Sequence, residues 1–377
     1  MMLELEALPA DEGDCLLLTC HTAAGPRSVL VDGGTARTAP RLLQRLQQLP
    51  GRRLELLVVT HIDADHIAGM VRLLRDPALQ LDIGDAWFNG LRHCPQPPGA
   101  QRGPADGERL TDLLTGEVSG RTMPWNLAFG GGAVQRNNDD PKTGETTAEL
   151  PVVTLPWGLR ITLLSPTPRR LAALRPGWDR YLAQLHREES SEPAPAPAAL
   201  RGDPSLEELA TTATANDGAA PNGSSIAFLA EFGGRSVLFG ADAFPTVLYP
   251  ALLRLARQRA GLPPDTDPAQ VPPLLVDVFK LPHHGSRANV ALPLFDLLRA
   301  DHYLVSTSGH RFRHPDAEAM ARVITRGRPA DGRRHTLWFN HVSATTRRWQ
   351  DPLLAQAHDY AVDGARSEAE PGALIRL

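Results

Sequence analysis

His61, Asp63, Asp65 and His66 place four side chains able to bind a metal ion within six consecutive positions. Imidazole nitrogens and carboxylate oxygens are the donors that zinc and harder divalent ions accept. The stretch His61-Ile62-Asp63-Ala64-Asp65-His66-Ile67-Ala68-Gly69 follows the apolar run Leu56-Leu57-Val58-Val59 after a single residue, Thr60. A simpler reading makes it a solvated loop that caps a helix through Asp63 or Asp65. A cap needs one oxygen, however, so two imidazoles and two carboxylates in such density point to a metal site.

The surrounding sequence shows what must position these groups. Residues 3–8, 14–20 and 28–31 alternate or run apolar, broken by Gly25-Pro26, and read as a β-meander ending at Asp32-Gly33-Gly34. Leu42, Leu43, Leu46 and Leu49 recur at helical spacing, which predicts an amphipathic helix over 38–49 stopped by Pro50-Gly51. Residues 54–59 form the nearly continuous apolar run of a strand buried on both faces. Ile67, Met70, Val71 and Leu74 then keep a helical period. The cluster 61–66 is therefore expected in a loop between strand and helix, where α/β sheets place ligands.

Further along, residues 225–232 and 235–240 flank Gly233-Gly234, the pattern of a hairpin with a primed turn. A buried strand is expected over 274–281, and helix and strand signals alternate through 294–299, 303–306, 316–323 and 336–339. Both halves run strands, helix, then a strand ending in a histidine cluster, which suits a pseudo-symmetric α/β sandwich of two sheets with outer helices. Residues 93–150 and 166–222 are rich in Pro, Gly, Ser, Asn and Asp and read as two long insertions, expected to be partly mobile. The expected organisation is one domain over 1–345, carrying both insertions, and a C-terminal extension over 346–377.

Bulk properties narrow the function classes. Hydrophobic content of 42% and charged content of 22% are ordinary for a folded globular chain and exclude a disordered or fibrous one. A net charge of -4 gives no global attraction to nucleic acid, so any polyanion site must be local. Cys15, Cys20 and Cys94 are odd in number and lack a Cys-x-x-Cys spacing, which fits buried reduced thiols better than disulfides or a thiolate zinc site. A basic-then-apolar leader is absent, as is any run of about 18 apolar residues, so no membrane association and a cytoplasmic address are expected. Among many arginines the only lysines are Lys142 and Lys280, which singles out the one lying three residues before His283-His284.

The cluster resembles the His-x-His-x-Asp-His signature of metallo-β-lactamase-fold hydrolases, with Asp63 in place of the second histidine. Asp32-Gly33-Gly34 is similar to that family's strand-ending Asp-x-Gly. The segment from Leu238 to Ala243 resembles the one whose aspartate bridges both metals, and Leu281-Pro282-His283-His284-Gly285-Ser286 resembles the last family motif. Within the family, residues 277–286 together with Asn222 to Ser225 look most like the ComEC-like branch, whose members include hydrolase domains of DNA-uptake proteins and resemble phosphorylcholine esterases.

The resemblance implies an αββα four-layer sandwich holding two divalent ions, Zn or Mn. It places His61, Asp63 and Asp242 around one ion, and Asp65, His66, Asp242 and His284 around the other. Aligning Pro-His-His-Gly with the family's Pro-Gly-His-Gly selects His284 as ligand and leaves His283 behind the ligands or facing substrate. Asp32, Asn222 and Ser286 are expected in the same supporting positions. Where other members carry a further histidine before the hairpin, this chain has Pro221-Asn222-Gly223-Ser224-Ser225, so the first site is expected to be richer in oxygen and more open to Mn²⁺.

Residues 308–315 resemble the ComEC-like Gly-x-x-x-x-His-Pro segment, which makes His314 a candidate phosphate contact or leaving-group acid and Arg311 and Arg313 candidate anion donors. Lys280 is a candidate to bind substrate or, equally, to form a buried ion pair with Asp277 or another carboxylate. The pairs Arg333-Arg334 and Arg347-Arg348, with Trp338, Phe339 and Trp349, read either as a basic-aromatic strip for nucleic acid or as an edge strand with surface arginines. The leading expectation is a phosphodiesterase or nuclease in which Asp65 steers a metal-activated water. Hydrolysis of a thioester, lactone or lactam is the enzymatic alternative. A metal-bound module recognising a protein partner through the insertions is the non-catalytic one.

Overall fold

The computed structural model describes residues 2–95, 109–116, 122–140, 144–146, 148–178, 180, 204–329 and 331–377. Lys142 and the proline-rich run at 193–197 lie outside them, as does much of both expected insertions. In chain order the strands of the two main sheets are β1 (Met2–Ala7), β2 (Leu16–Thr22), β3 (Gly25–Val31), β4 (Leu56–Val58), β5 (Ala86–Trp87), β6 (Val152–Thr154), β7 (Arg160–Ser165), β8 (Ala227–Phe232), β9 (Arg235–Phe239), β10 (Leu274–Lys280), β11 (Leu298–Val305), β12 (Thr336–Phe339), β13 (Ala361–Gly364) and β14 (Ala373–Arg376). One sheet has the order β14-β1-β2-β3-β4-β5 and the other β13-β12-β11-β10-β9-β8-β7-β6. The first turns parallel from β3 onward. In the second, β9 to β13 are parallel.

Side-chain alternation along the strands makes the layers. On β4, Leu56 and Val58 join Leu5, Leu18, Val29, Phe228, Phe239 and Val278 in a core between the sheets. Leu57 points the other way, packing with Leu42 and Leu46 of helix α1 (Ala39–Leu46) and with Ile67 and Met70 of α2 (Ala64–Leu74). On the far side Leu238, Phe279 and Tyr303 pack under α3 (Pro245–Arg259) and α4 (Ala317–Arg326). Strands with both faces apolar and helices with one apolar stripe have no other way to exclude water from all these surfaces. The result is a helix–sheet–sheet–helix sandwich, the four-layer α/β architecture expected from the sequence.

The hairpin turns at Gly233 and Gly234, both at positive φ (59° and 79°), the geometry a primed turn requires. The helix expected over 294–299 is shorter: it ends at Leu297, and the parallel strand β11 begins at Leu298. The last residues run along both sheets, β13 extending one edge beside β12 and β14 pairing with β1 at the edge of the other. Among the described residues no helix is long and apolar enough to cross a membrane.

Candidate metal centre

The amino-terminal arm of the site is built where β4 meets α2. Residues 61–66 do not all lie in a loop, as expected from sequence: α2 starts at Ala64 and carries Asp65 and His66 in its first turn. Asp63 occupies the N-cap position but makes no capping hydrogen bond; its carboxylate instead faces His61 Nε2 at 3.6 Å. Close backbone packing holds the helix in place. A Cβ on Gly33 would stand 2.4 Å from the Met70 nitrogen, and one on Gly69 would stand 1.9 Å from the Gly33 oxygen. Asp32, at φ 59°, thereby sits directly beneath α2. Its carboxylate accepts hydrogen bonds from the Thr60 amide and hydroxyl, both at 2.7 Å, and from His66 Nδ1 at 2.8 Å.

The carboxy-terminal arm comes from the ends of β9 and β10. Asp242 follows Ala241 (φ 45°), and His283 and His284 are consecutive left-handed residues at φ 48° and 55°. Left-handed backbone is costly for residues with a Cβ and collects at functional sites. Here it turns successive side chains inward. His284 Nδ1 donates to the Ser306 carbonyl at 2.8 Å and also faces Asp14 Oδ1 at 3.5 Å. Lys280 forms a fully buried ion pair with that same Asp14.

These arms converge on one atom. Asp242 Oδ2 lies 3.5 Å from His66 Nε2 and 3.8 Å from each of His61 Nε2, His283 Nε2 and His284 Nε2. His284 Nε2 is 3.2 Å from His66 Nε2 and 3.3 Å from Asp65 Oδ2, which in turn is 4.0 Å from His66 Nε2. Bond lengths of about 2.0–2.2 Å separate the donors of a tetrahedral cation by about 3.3–3.6 Å, close to these spacings. His61, His66 and Asp242 form one tight group of possible ligands and Asp14, His66 and His284 another. Asp14, however, faces the Nδ1 side of His284 and is neutralised by Lys280, so it anchors that ring and does not join the ligands.

Hydrogen bonding shows that the donors suit a cation. His66 and His284 each commit Nδ1–H to an acceptor behind the ring, which leaves two Nε2 lone pairs facing each other across 3.2 Å. Lone pairs repel at that distance unless a proton or metal ion lies between them. Thr60 donates its hydroxyl to Asp32 and so accepts from His61 Nδ1–H. That leaves His61 Nε2 buried without a hydrogen-bond partner, and Asp242 Oδ1 is in the same condition. Burial alone would push the His66 imidazole down, but Asp242, Asp32 and Asp65 outweigh it and hold the group well above its ordinary value. His284, also opposed by burial, is brought up to about 9 chiefly by Asp242 and Asp14. Against the same desolvation, His66 lowers Asp65 together with His284, and lowers Asp242 together with His283 and His284. The carboxylates thus favour positive charge at the imidazoles, the field in which a divalent ion binds and displaces protons.

The structure thus brings together His61, Asp63, Asp65, His66, Asp242 and His284, and adds His283. Asp32 lies behind His66. Asn222 donates to Asp217 at 2.7 Å and stands behind His283. Ser286 is a turn residue, its hydroxyl accepting from the Ala288 amide at 3.3 Å. His314 lies beside the centre, its ring 5.2 Å from that of His283. Lys280 departs from the substrate-facing position considered for it: it is fully buried against Asp14, while Asp277 pairs with Arg235. Arg311 lies over the ring of Phe312, and Arg313 sits at φ 63° in the same loop.

Of the three aromatic residues of the basic-aromatic strip, Phe339 and Trp349 are core residues, and Trp338 is half-buried with its Nε1 donating to His302 Nδ1. Arg333, Arg334 and Arg347 pair with Asp301, Asp331, Asp359 and Glu368. Sequence reasoning missed Asp14, Thr60, Asp217 and Asn289. The one available signal was Lys280, a lysine in an apolar strand that required a buried carboxylate partner.

Residues 11–159 match the Metallo-beta-lactamase superfamily. The mixed α/β sandwich is consistent with the fold of that superfamily, and the matched segment contains Asp32 and the whole 61–66 cluster; Asp242, His283 and His284 lie beyond it. Superfamily members are for the most part metal-dependent hydrolases or related enzymes. No curated protein shows significant similarity to the chain. Among solved structures, Zn(2+)-bound PqqB from Methylobacterium extorquens is 14% identical with a TM-score of 0.38, each chain being covered in full. A mutant of the CmlA beta-hydroxylase is likewise 14% identical, with a TM-score of 0.37; all of this chain is covered, but it spans only 54% of that protein.

Proposed function

We propose that the chain hydrolyses phosphodiesters with two divalent cations, Zn or Mn, which His61, Asp63, Asp65, His66, Asp242 and His284 would hold. The observation that carries this reading is the convergence of His61, His66 and His284 Nε2 on the single oxygen Asp242 Oδ2, which makes one carboxylate common to two ligand sets. A cation pair supplies an acidified water and charge stabilisation for the attacked phosphoryl group.

The protein's own groups divide the remaining work. His66, Asp65 and His284 would form one ligand set with Asp242, and His61 and Asp63 the other. Burial falls from His66 and His284, fully enclosed, to Asp63, whose side chain is 35% exposed, so substrate approaches from the Asp63 side. Asp65, 15% exposed, stands at the border of ligand set and solvent, placed to orient the attacking water. Burial draws His314 below its ordinary value despite Asp316, 3.5 Å from its Nδ1, so it serves as a neutral hydrogen-bond partner to the leaving oxygen and not as a fixed cation. The ComEC-like motifs favour a nucleic acid or nucleotide-like ester.

The test is hydrolysis of DNA, RNA, cyclic nucleotides and bis-p-nitrophenyl phosphate with Mn²⁺ or Zn²⁺. Metal-dependent turnover that drops about 10²–10⁴-fold in Asp65→Asn is expected. Faster cleavage of thioesters, lactones or lactams would replace phosphodiesters with those substrates, and the absence of metal-dependent turnover on the whole panel would overturn the enzyme reading.

A further inference from the structure

We infer that His283 is a metal ligand, completing the first ion's set in place of the histidine missing before the hairpin; this rests on the two-metal reading above. Each of the four imidazoles around Asp242 is gripped from behind through Nδ1 and turns Nε2 toward the same oxygen. For His66 the grip is Asp32, for His284 the Ser306 carbonyl, and for His61 the Thr60 hydroxyl. For His283 it is Asn289 Oδ1 at 2.9 Å, with Asp217 Oδ2 at 3.3 Å. Metal-bound histidines show this arrangement, because the group behind the ring fixes the tautomer and raises the basicity of the coordinating nitrogen.

In its distance to Asp242, His283 matches two of the other three. Its Nε2 lies 3.8 Å from Asp242 Oδ2, the same as for His61 and His284. Its backbone is also left-handed, at φ 48° and ψ 50°, so both members of the His-His pair accept strain that brings their rings to Asp242. The His283 amide is tied to the Ala241 carbonyl at 2.8 Å, which fixes the pair against the residue preceding Asp242. Further support lies behind the ring: Asn289 Nδ2 donates to the Asp242 carbonyl and to Asp217 Oδ2, both at 3.1 Å, and Asn222 donates to the same Asp217 oxygen. Asn222, from the segment where a histidine ligand is lacking, therefore acts through His283.

Full-length protein loaded with Co²⁺ tests this directly. Each cobalt-bound histidine that keeps an Nδ1–H gives a solvent-exchangeable, strongly shifted proton resonance, and four are expected, from His61, His66, His283 and His284. Bound cobalt measured after dialysis should fall from two ions per chain to one in His283→Ala, and Asp217→Asn should weaken the more loosely held ion about 10–100-fold. Three exchangeable resonances in the wild type overturn the inference, as does His283→Ala retaining two ions at unchanged affinity, while the metal centre itself stands. A wild type that binds no cobalt overturns the centre and the inference together.

Discussion

The two arms of the site reach the same oxygen by different structural means. The Thr60–His66 arm uses ordinary geometry: a strand ends, α2 begins, and its ligands project from one short stretch. The Pro282–Asn289 arm places two consecutive histidines in left-handed backbone and secures them with Ser306, Asn289 and the buried Lys280–Asp14 pair. Both arms have buried polar groups behind their rings, Asp32 and Thr60 in the first and Ser306 and Asn289 in the second. The first adds a close helix–strand contact through Gly33 and Gly69, the second two left-handed histidines and a buried ion pair whose members depend on each other.

The comparison breaks most sharply at Lys280. Lys280→Met leaves Asp14 buried without its cation and is expected to cost about 3–5 kcal/mol, read as a fall in melting temperature. Adding Asp14→Asn to that variant should restore much of the loss, because it removes the stranded charge; no recovery would mean that the pair is not an isolated electrostatic unit. Asp32→Asn probes the other arm with a smaller expected effect. It keeps the shape behind His66 but weakens the carboxylate–imidazole hydrogen bond, so metal affinity should drop about 10–100-fold with little change in fold. An unchanged affinity would show that α2 alone positions the ring.

The smallest effect lies outside both arms. Burial lowers His93, His335 and His341 to about 4 each. Unfolded histidine titrates near its ordinary value of about 6.5, so below that pH the unfolded chain takes up protons that the folded chain refuses. Their contribution to stability is full above about 6.5 and is lost progressively as pH falls toward 4. The melting temperature of metal-free protein should decline over that window, and replacing His335 with Phe should flatten part of the decline; a melting temperature independent of pH between 7 and 5 would contradict it.

The same contrast explains what was legible in the sequence. His61 to His66 could be read because four ligands share one local stretch, and the layer order followed from apolar runs such as 54–59. The first turn of α2 was missed because helical period becomes visible only after His66, whereas the helix starts at Ala64. Asp242 and His284 were recognisable by resemblance, which set His283 behind the ligands or facing substrate; left-handed backbone at two adjacent histidines leaves no mark in residue types. Asp14 and Asp217 act only after distant segments meet, while Asn289 is local to His283 and carries no signal in its residue type. Their separations of 266 residues from Lys280, 66 from His283 and 6 from His283 show that nearness in sequence is a poor guide to which anchors can be foreseen.

The account stands on Asp242 Oδ2 as the meeting point of two ligand sets. Anomalous diffraction at the manganese and zinc edges, from crystals grown with each metal, tests this most directly. Two peaks are predicted, one on the His61–Asp63 side of Asp242 and one between His66, Asp65 and His284. A single peak away from Asp242, or none at saturating metal, would contradict it.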